Sequence, residues 1–563
     1  MSDVNILIGG EAGQGLQTVG EMIAKALVRS GYEVHVSQDY LSRVRGGHNT
    51  FAVRFGPERL LAPRESVDVL VALDAETVTR HTARLTSRGV IVADESVDTD
   101  HPRIFKVPFK SLAPKPIFAN TAALGVLASV VCEDLSVLEE MLAEAFGGKG
   151  EAVVAENVKV LRAAAAWKEA HEKIFECPAP SPGHAGRLCV NGNEALALGA
   201  MAAGVNFCAF YPMTPSTGVA LNLIAHSREL GIVVEQAEDE IAALNMVLGA
   251  SYAGARALVA TSGGGFALMT EAVSLAGMTE IPAVIVVGMR PGPATGLPTR
   301  TEQGELWMVL HAGHGEFPRA IFAPGDPEDC FHLTHAAFDL AERWQSPVFV
   351  LTDQYLADST RSVQPFDLAA LPPVAGPLLD PDDPAGYKRY AITDSGVSPR
   401  AVPGLSPALV VVDSDEHDEE GHITEDHAVR VAMVDKRNRK FAGLAAATRP
   451  PVLTGPEDAG ILLVSWGSTK GPALEARAQL AEQGRSVSVL HFSQVWPLDP
   501  GHFLPQFARA KAVVSVEGNS TGHFAGLIRR QTGFAIPHLV PRYDGLPFTA
   551  DYILAGLART GLI

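Results

Sequence analysis

Several short stretches of the sequence combine reactive side chains with turns that would hold them in place. In "AFYPMTPST" (residues 209–217), an apolar run ends at Pro212 and Pro215, with Thr214 between them and two more hydroxyl residues after them. Proline fixes its own φ and biases the preceding residue toward extended backbone, so this turn is stiff. Such a turn would hold its hydroxyl groups in a fixed position at the end of a predicted strand.

The segment "EQAEDE" (235–240) places four carboxylates where a predicted strand ends and a helix rich in alanine and glycine begins. Acidic side chains are common at helix N-termini because of the helix dipole, and this accounts for Glu235, Glu238 and Asp239. Glu240 is followed at once by an apolar run. A carboxyl among small apolar residues suits proton exchange with a heterocycle, although the dipole explanation stays open for it as well.

Two further segments are rich in glycine and follow predicted strands. "TSGGGFALM" (261–269) has three glycines, and the loop within 286–306, "VVGMRPGPATGLPTRTEQGEL", holds Arg290 and Arg300. Arginine recognises carboxylates through its planar guanidinium group. The alternative interpretation of each arginine is an ordinary surface residue without a ligand. Because ligands of α/β sheets collect at strand C-termini, this loop is a candidate carboxylate site.

Near the N-terminus, "GGEAGQGLQTVG" (9–20) lies between a predicted strand and a helix whose N-terminus could receive an anion. The pattern is neither a dinucleotide fingerprint nor a P-loop, and a tight crossover explains it equally well. "SRVRGGHNT" (42–50) adds Arg43, Arg45 and His48, which could contact phosphate, carboxylate or a partner subunit.

Metal chemistry is disfavoured. "DSDEHDEEGHITEDH" (413–427) has His417 and His422, but acids outnumber histidines, so a solvated loop or subunit contact is favoured. The five cysteines include no C-x-x-C pair, which argues against a disulfide framework, a zinc site and a complete iron–sulfur site. We therefore expect each cysteine to be a small buried apolar residue.

The order of predicted elements indicates an α/β protein of three doubly wound units, because strands alternate with helices. The first unit is predicted to have a parallel sheet. The predicted divisions are a first domain (1–175), a Pro/Gly-rich linker (176–187), a second domain (188–360), an irregular connecting segment (361–455) and a third domain (456–563).

The charge of the chain argues against several classes of binding partner. The formal net charge of the 563 residues is −19 and no basic stripe stands out, which argues against nucleic acid and anionic membranes. The start "MSDVNILIGGEAGQG" does not have the pattern of a secretory signal, and no apolar run is suited to span a bilayer. A cytosolic location is expected.

Together, "YPMTPST", "EQAEDE…GASYAGARALVATSGGGFALM", "GPATGLPTRTEQGEL", "DSDEHDEEGHITED" and "YDGLPFT" resemble the α subunit of 2-oxoacid:ferredoxin oxidoreductases with a fused N-terminal γ-type domain, the form often assigned to 2-oxoglutarate. The resemblance covers nearly the whole chain. It implies a γ-type domain, a thiamine diphosphate pyrimidine-binding domain and a transketolase C-terminal-like domain.

The resemblance also implies roles for residues. Thr214 would hydrogen-bond the substrate or its adduct, and Glu240 would hydrogen-bond N1′ of the thiamine aminopyrimidine, favouring the imino tautomer that removes the C2 proton. Arg290 and Arg300 would hold the carboxylates of the 2-oxoacid. The other implied contacts are, for thiamine diphosphate, Tyr211, Pro212, Gly263 and Gly264, and for CoA, Gly13, Gly15 and Arg45. Departures from the family pattern include Met213, Ala294 and Glu305, the last in place of a usual aspartate.

Two expected features are missing from the sequence. It has no G-D-G…N signature for Mg²⁺ and diphosphate, and no cysteine set for a [4Fe–4S] cluster. The resemblance therefore implies a β subunit that carries both, in an α₂β₂ assembly. The implied reaction converts 2-oxoglutarate, CoA and oxidised ferredoxin to succinyl-CoA, CO₂ and reduced ferredoxin. The alternatives are pyruvate, a branched-chain 2-oxoacid or indolepyruvate as substrate, or a nucleotide-binding or assembly protein that uses the α/β units as a scaffold.

Overall fold

The computed structural model describes residues 3–563 except for 12–14, 42–45, 132, 182–185 and 377–385. Its elements confirm a mixed α/β protein with three sheets. The elements up to residue 191 are β1 (Val4–Glu11), α1 (Leu16–Arg29), β2 (Glu33–Asp39), β3 (His48–Gly56), β4 (Val67–Ala72), α2 (Ala75–His81), β5 (Leu85–Asp94), β6 (Ile104–Val107), α3 (Phe109–Leu112), α4 (Ala119–Val130), α5 (Leu135–Phe146), α6 (Glu151–Glu169) and β7 (Leu188–Asn191).

The remaining elements continue the alternation. They are α7 (Gly192–Ala202), β8 (Phe207–Phe210), α8 (Thr217–Leu230), β9 (Val233–Gln236), α9 (Glu240–Tyr252), β10 (Ala257–Ser262), α10 (Gly263–Thr279), β11 (Ala283–Met289), α11 (Leu306–His311), β12 (Ala320–Phe322), α12 (Pro327–Trp344), β13 (Pro347–Asp353), α13 (Gln354–Asp358), β14 (Thr360–Val363), α14 (His427–Ala446), β15 (Val452–Thr454), β16 (Ile461–Trp466), α15 (Lys470–Glu482), β17 (Val487–Phe492), β18 (Gln494–Trp496), α16 (Leu504–Arg509), β19 (Ala512–Glu517), α17 (His523–Thr532), β20 (His538–Pro541) and α18 (Ala550–Arg559).

The first compact unit comprises Met1–Val190 and Ser359–Phe366 and contains an eight-stranded sheet in the order β6-β5-β4-β1-β3-β2-β14-β7. The sequence predicted a parallel sheet, and this is wrong in part, because β3 runs antiparallel to both β1 and β2. The start of β3 falls in the segment that was interpreted as a ligand loop. Its alternating pattern, "HNTFAVRFG", is the strand signal that the prediction missed.

A strand from far along the chain joins this first sheet. β14 pairs antiparallel with β2, and Ser362 lies beside the buried carboxylate of Glu33. The Ser362 hydroxyl donates to Glu33 Oε2 over 2.6 Å, and Arg187 pairs with Glu33 Oε1 at the same distance. A buried carboxylate needs such partners, so Glu33 gives a physical reason for this return of the chain.

The second compact unit comprises Asn191–Asp358 and Asp367–Ile563. One of its sheets has seven strands in the order β18-β12-β13-β11-β10-β8-β9, parallel except for the β12–β18 pair. The other has five strands in the order β15-β17-β16-β19-β20, parallel except for β15. The strands predicted to precede the threonine turn, the "EQAEDE" segment, the three glycines and the arginine loop are all present, as β8, β9, β10 and β11.

The described residues of 361–455, predicted to be irregular, include a long helix, α14, which two buried ion pairs hold in place. Lys436 Nζ lies 2.7 Å from Glu280 Oε1, and Lys440 Nζ lies 2.5 Å from Glu280 Oε2, with all three side chains almost fully enclosed. Burial raises the pKa of Glu280, but the surrounding cations, Lys440 foremost, outweigh it and hold that pKa well below its ordinary value. Glu280 is therefore charged and binds α14 to the end of α10.

The parallel strands determine which loops meet. β9, β8, β10 and β11 are consecutive neighbours in the seven-stranded sheet, and their carboxyl ends lie at one edge. The segments that follow them contain, in the same order, Glu240, Thr214, the three glycines and Arg290. Residues up to 76 positions apart in the chain are thus brought to one edge of one sheet, where ligands of α/β proteins bind.

Candidate active site

Hydrogen bonds from α7 and from within the turn itself hold the turn after β8 in place. The Asn193 side chain at the start of α7 donates to the Pro215 carbonyl over 3.0 Å, and the Ser216 hydroxyl donates to the Met213 carbonyl over the same distance. Tyr211 and Pro212 are exposed, whereas Met213 and Thr214 are half-buried. Asn193 was not identified from the sequence, where an asparagine in a helix start gave no signal of this contact.

Glu240 differs from the other three carboxylates of its segment. Asp239 caps α9, accepting from the Ala242 amide over 2.7 Å, and Glu235 and Glu238 are exposed. Glu240 is only 3% exposed, and its Oε1 atom is buried without a hydrogen-bond partner. An enclosed carboxylate oxygen without a partner is costly in an otherwise satisfied fold, so this atom is a candidate contact for a ligand.

The three glycines at the start of α10 admit two carboxylates. A Cβ atom on Gly265 would lie 2.5 Å from Glu240 Oε1, and one on Gly263 would lie 2.4 Å from Glu305 Oε1. Both distances are too short for any real side chain. Gly264 is different, because the nearest atom to its Cβ position, the Ala294 carbonyl oxygen, is 3.9 Å away. The first and third glycines therefore make room for carboxylates, and the middle one faces open space.

The two arginines of the loop after β11 have different surroundings. Arg290 Nη1 donates to the Thr214 carbonyl over 2.8 Å, which joins this loop to the turn after β8. Burial lowers the pKa of Arg290, and the nearby Glu305 opposes that shift. Arg300 instead lies beside Gly545, whose Cβ position is 3.1 Å from Arg300 Cβ. Arg290, one of the two predicted carboxylate ligands, thus contacts the threonine turn.

The end of the same loop is fixed to the five-stranded sheet through Gln303. Its side chain donates to the Trp466 carbonyl over 2.9 Å and accepts from the Gly518 amide over 2.7 Å. Its backbone amide donates to the Gly518 carbonyl, and its carbonyl accepts from Asn519. Gln303 is buried, and no pattern in the sequence distinguishes it from its polar neighbours. The five-stranded sheet therefore positions the loop that carries both arginines.

The candidate CoA residues are described only in part. Gly13 and Arg45 lie outside the described residues, as does Arg43. Gly15 has a φ of 80°, and a Cβ there would lie 2.1 Å from the Asn120 side chain, so glycine is required at that turn. His48 Nε2 lies 2.8 Å from His81 Nε2 on the neighbouring helix. The role of this region stays a prediction.

The acidic stretch at 413–427 is engaged in contacts within the chain. Glu416 pairs with Arg437 at 2.9 Å, and the His417 ring packs against Tyr390 with centroids 3.9 Å apart. Among the described residues, no cluster of three histidine, cysteine or acidic side chains could hold a metal ion. Within the same residues, no helix is long and apolar enough to cross a membrane. Cys208 and Cys330 are buried, as expected, whereas Cys177 and Cys189 are half-buried, so the expectation of full burial is wrong for these two.

Comparisons with known sequence families account for most of the chain. Residues 198–436 match the family described as pyruvate flavodoxin/ferredoxin oxidoreductase, thiamine diP-bdg. Residues 5–167 match pyruvate ferredoxin/flavodoxin oxidoreductase, and residues 453–531 match the C-terminal domain of transketolase. The first match contains the threonine turn, Glu240, the three glycines and both arginines.

Individual proteins resemble the chain over its full length. It is 33% identical to 2-oxoacid:ferredoxin oxidoreductase 2, subunit alpha, of Aeropyrum pernix, covering 99% of this chain and 98% of that one. It is 28% identical to 2-oxoglutarate oxidoreductase subunit KorA of Mycobacterium tuberculosis, covering 98% and 91%. Among solved structures, 2-oxoglutarate:ferredoxin oxidoreductase from Magnetococcus marinus, with 2-oxoglutarate, coenzyme A and succinyl-CoA bound, matches with a TM-score of 0.93, 31% identity and complete coverage of both chains.

The contacts of Gly265 and Gly264 predict that alanine at these two positions changes the free energy of unfolding by different amounts. Gly265→Ala should destabilise the chain by about 1–3 kcal/mol, because its methyl group would overlap Glu240 and Thr261 in a packed region. Gly264→Ala is the matched control and should be neutral or stabilising by up to about 1 kcal/mol, since alanine favours helix and has room there. Denaturant unfolding measures both, and equal effects would contradict the described packing.

Proposed function

The chain belongs to the family of 2-oxoacid:ferredoxin oxidoreductase α subunits, and from that premise we propose that its substrate is 2-oxoglutarate. The proposed reaction is oxidative decarboxylation with CoA to succinyl-CoA and CO₂, with reduction of ferredoxin. The Magnetococcus protein with 2-oxoglutarate and succinyl-CoA bound supports this choice. The observation in this chain that carries the proposed chemistry is the buried, unpaired Oε1 atom of Glu240 beside the three-glycine helix start.

The residues at this edge fit the aminopyrimidine of thiamine diphosphate. Glu240 Oε1 is an enclosed acceptor without a partner, and Gly264 leaves space next to Met213. When bound, thiamine diphosphate supplies the carbanion that attacks the keto carbon and holds electrons after CO₂ leaves. In this proposal Glu240 hydrogen-bonds the aminopyrimidine and orients it, and the Tyr211–Pro212 segment and Gly263 line the same place.

Arg290 is the proposed ligand of the carboxylate next to the keto carbon. Its Nη1 is used by the Thr214 carbonyl, which fixes the guanidinium close to the threonine turn and leaves its other donors for a substrate. Thr214 is proposed to hydrogen-bond the substrate from the same turn. Arg300 is the candidate for the distal carboxylate of 2-oxoglutarate. A dianion entering a chain of net charge −19 needs such local cations, because the overall field repels it.

A β subunit is proposed as the obligate partner, carrying Mg²⁺ with the diphosphate site and the [4Fe–4S] cluster that passes electrons singly to ferredoxin. Exposed apolar side chains near the candidate site support a protein partner there. They lie on β9, which has only one neighbour in its sheet as described, and on the helices before and after it in the chain. They include Leu221, Ile224, Val233, Ile241 and Met246. Large exposed apolar patches mark interaction surfaces. We further propose an α₂β₂ assembly, with CoA at Gly13, Gly15 and Arg45.

Reconstitution tests the proposed function as a whole. Purified α and β subunits together should reduce a viologen dye when 2-oxoglutarate and CoA are supplied. The α subunit alone should show negligible turnover and no iron–sulfur absorbance, because the sequence has no cysteine set for a cluster. Robust activity of the α subunit without β would contradict the partner assignment, and an inactive but fully loaded αβ complex would contradict the reaction.

Replacing Glu240 tests the proposed proton chemistry. Glu240→Gln should retain much of the thiamine diphosphate affinity but lose about two to four decades in rate, as expected for lost acid–base assistance. Glu238→Gln is the matched control, because that carboxylate is exposed in the same segment. Exchange of the thiamine C2 proton, followed by NMR, is the direct measurement. Wild-type exchange in Glu240→Gln would show that another group is responsible.

Replacing the arginines separates the two ends of the substrate. A charge-assisted contact contributes about 1.5–3 kcal/mol, so losing the ligand of the distal carboxylate should raise KM for 2-oxoglutarate by about one to two decades. Pyruvate has no distal carboxylate and should be little affected. On the assignment above, Arg300→Met should affect 2-oxoglutarate alone and Arg290→Met both substrates. Wild-type kcat/KM for both substrates in both variants would remove the support for 2-oxoglutarate.

A further inference from the structure

A second carboxyl group at this edge, Glu305, is not used by the proposed chemistry. It lies just before α11, and its Oε1 atom is close to the first glycine of α10, 2.4 Å from the Cβ position of Gly263. Its Oε2 atom is enclosed without a hydrogen-bond partner. Glu305 and Glu240 therefore lie against the same helix start, one against Gly263 and the other against Gly265.

Glu305 shares its surroundings with Arg290 but is not paired with it. In the described part of the chain, no hydrogen bond or ion pair joins the two side chains, and Arg290 donates to the Thr214 carbonyl instead. Each nevertheless acts on the charge of the other. An arginine near an unpaired carboxyl group has two possible anionic partners when a substrate arrives, namely that carboxyl group and the substrate carboxylate.

The groups around Glu305 favour its neutral form at neutral pH. Burial, and then the like charge of Glu302 in the same loop, raise the pKa of Glu305 to about 8, and Arg290 opposes them. On the side of α10, Glu305 faces the backbone of Gly263. The N-terminus of this helix, like Arg290, favours the ionised form of Glu305 and so works against the rise in pKa. Since the pKa is raised, Glu305 is protonated below about pH 8 and loses its proton to solvent above it.

We propose that Glu305 controls whether Arg290 can receive the carboxylate of the 2-oxoacid. When Glu305 is protonated, the Arg290 guanidinium is left to the substrate. When Glu305 is ionised, it pairs with Arg290 and competes with the substrate carboxylate. Glu305 is thus a positioning residue that acts through Arg290. The inference rests on the proposed function, because it assumes that Arg290 binds the substrate carboxylate.

The consequence is a specific pH dependence of KM. Only the protein in which Glu305 is protonated binds substrate. KM should therefore rise with pH above about 8 and approach a tenfold increase for each further pH unit. At saturating substrate, kcat should stay constant over the same pH range, because the substrate carboxylate then occupies Arg290 and keeps Glu305 protonated. A merely structural role for Glu305 would not produce this separation of KM from kcat.

Three variants of the αβ complex test the proposal with 2-oxoglutarate as substrate. Glu305→Gln should abolish the rise in KM, because glutamine mimics the protonated carboxyl at every pH. Glu302→Gln should move the rise to lower pH, since a like charge that raises the pKa of Glu305 is removed. Glu229→Gln, on the exposed surface of α8, is the control and should leave the profile unchanged.

An infrared titration provides a readout that does not depend on turnover. The wild-type complex should show a protonated carboxyl band that disappears as the pH rises through about 8, and Glu305→Gln should lack that band. An unchanged KM profile in both Glu305→Gln and Glu302→Gln, or a wild-type complex without the band, would overturn the proposal. If instead the band titrates but no 2-oxoacid is turned over, the proposed function has failed, and with it the role assigned to Glu305.

Discussion

The close contact between the start of α10 and two buried carboxyl groups is the constraint on which the candidate site depends. Glu240 lies against Gly265 and Glu305 against Gly263, at distances that leave no room for a Cβ atom. Side chains at these glycines would force the carboxyl groups outward, where water would satisfy them. The glycines therefore keep two polar groups in an enclosed place with atoms that lack partners, a costly arrangement that proteins retain chiefly at functional sites.

The surrounding fold brings and holds the other groups at this place. Parallel pairing of β9, β8, β10 and β11 aligns the carboxyl ends of four strands, so four separate loops share one edge. Arg290 joins two of these loops through the Thr214 carbonyl, and Gln303 fixes the arginine loop to the five-stranded sheet. Precise positioning of charged groups is what allows them to act on a substrate, and here two sheets share that task.

Much of this arrangement could be predicted from the sequence, because strand periodicity and glycine or proline turns are local signals. They identified the second-domain strands and the segments that hold Glu240, Thr214 and Arg290. The antiparallel β3 and the return of β14 to the first sheet were missed, since pairing between distant segments leaves no local pattern. Gln303 and Glu305 were missed as contacts for the same reason. Their neighbours, Gly518 and Gly263, lie far away in the chain.

The most direct test is a crystal structure of the αβ complex with thiamine diphosphate bound. The account predicts that Glu240 Oε1 lies within about 2.6–3.2 Å of a nitrogen of the aminopyrimidine ring while its carboxyl group still packs against Gly265. Binding of that ring elsewhere, with Glu240 Oε1 still unpaired, would contradict the central claim that the glycine-rich start of α10 holds this carboxylate for the cofactor.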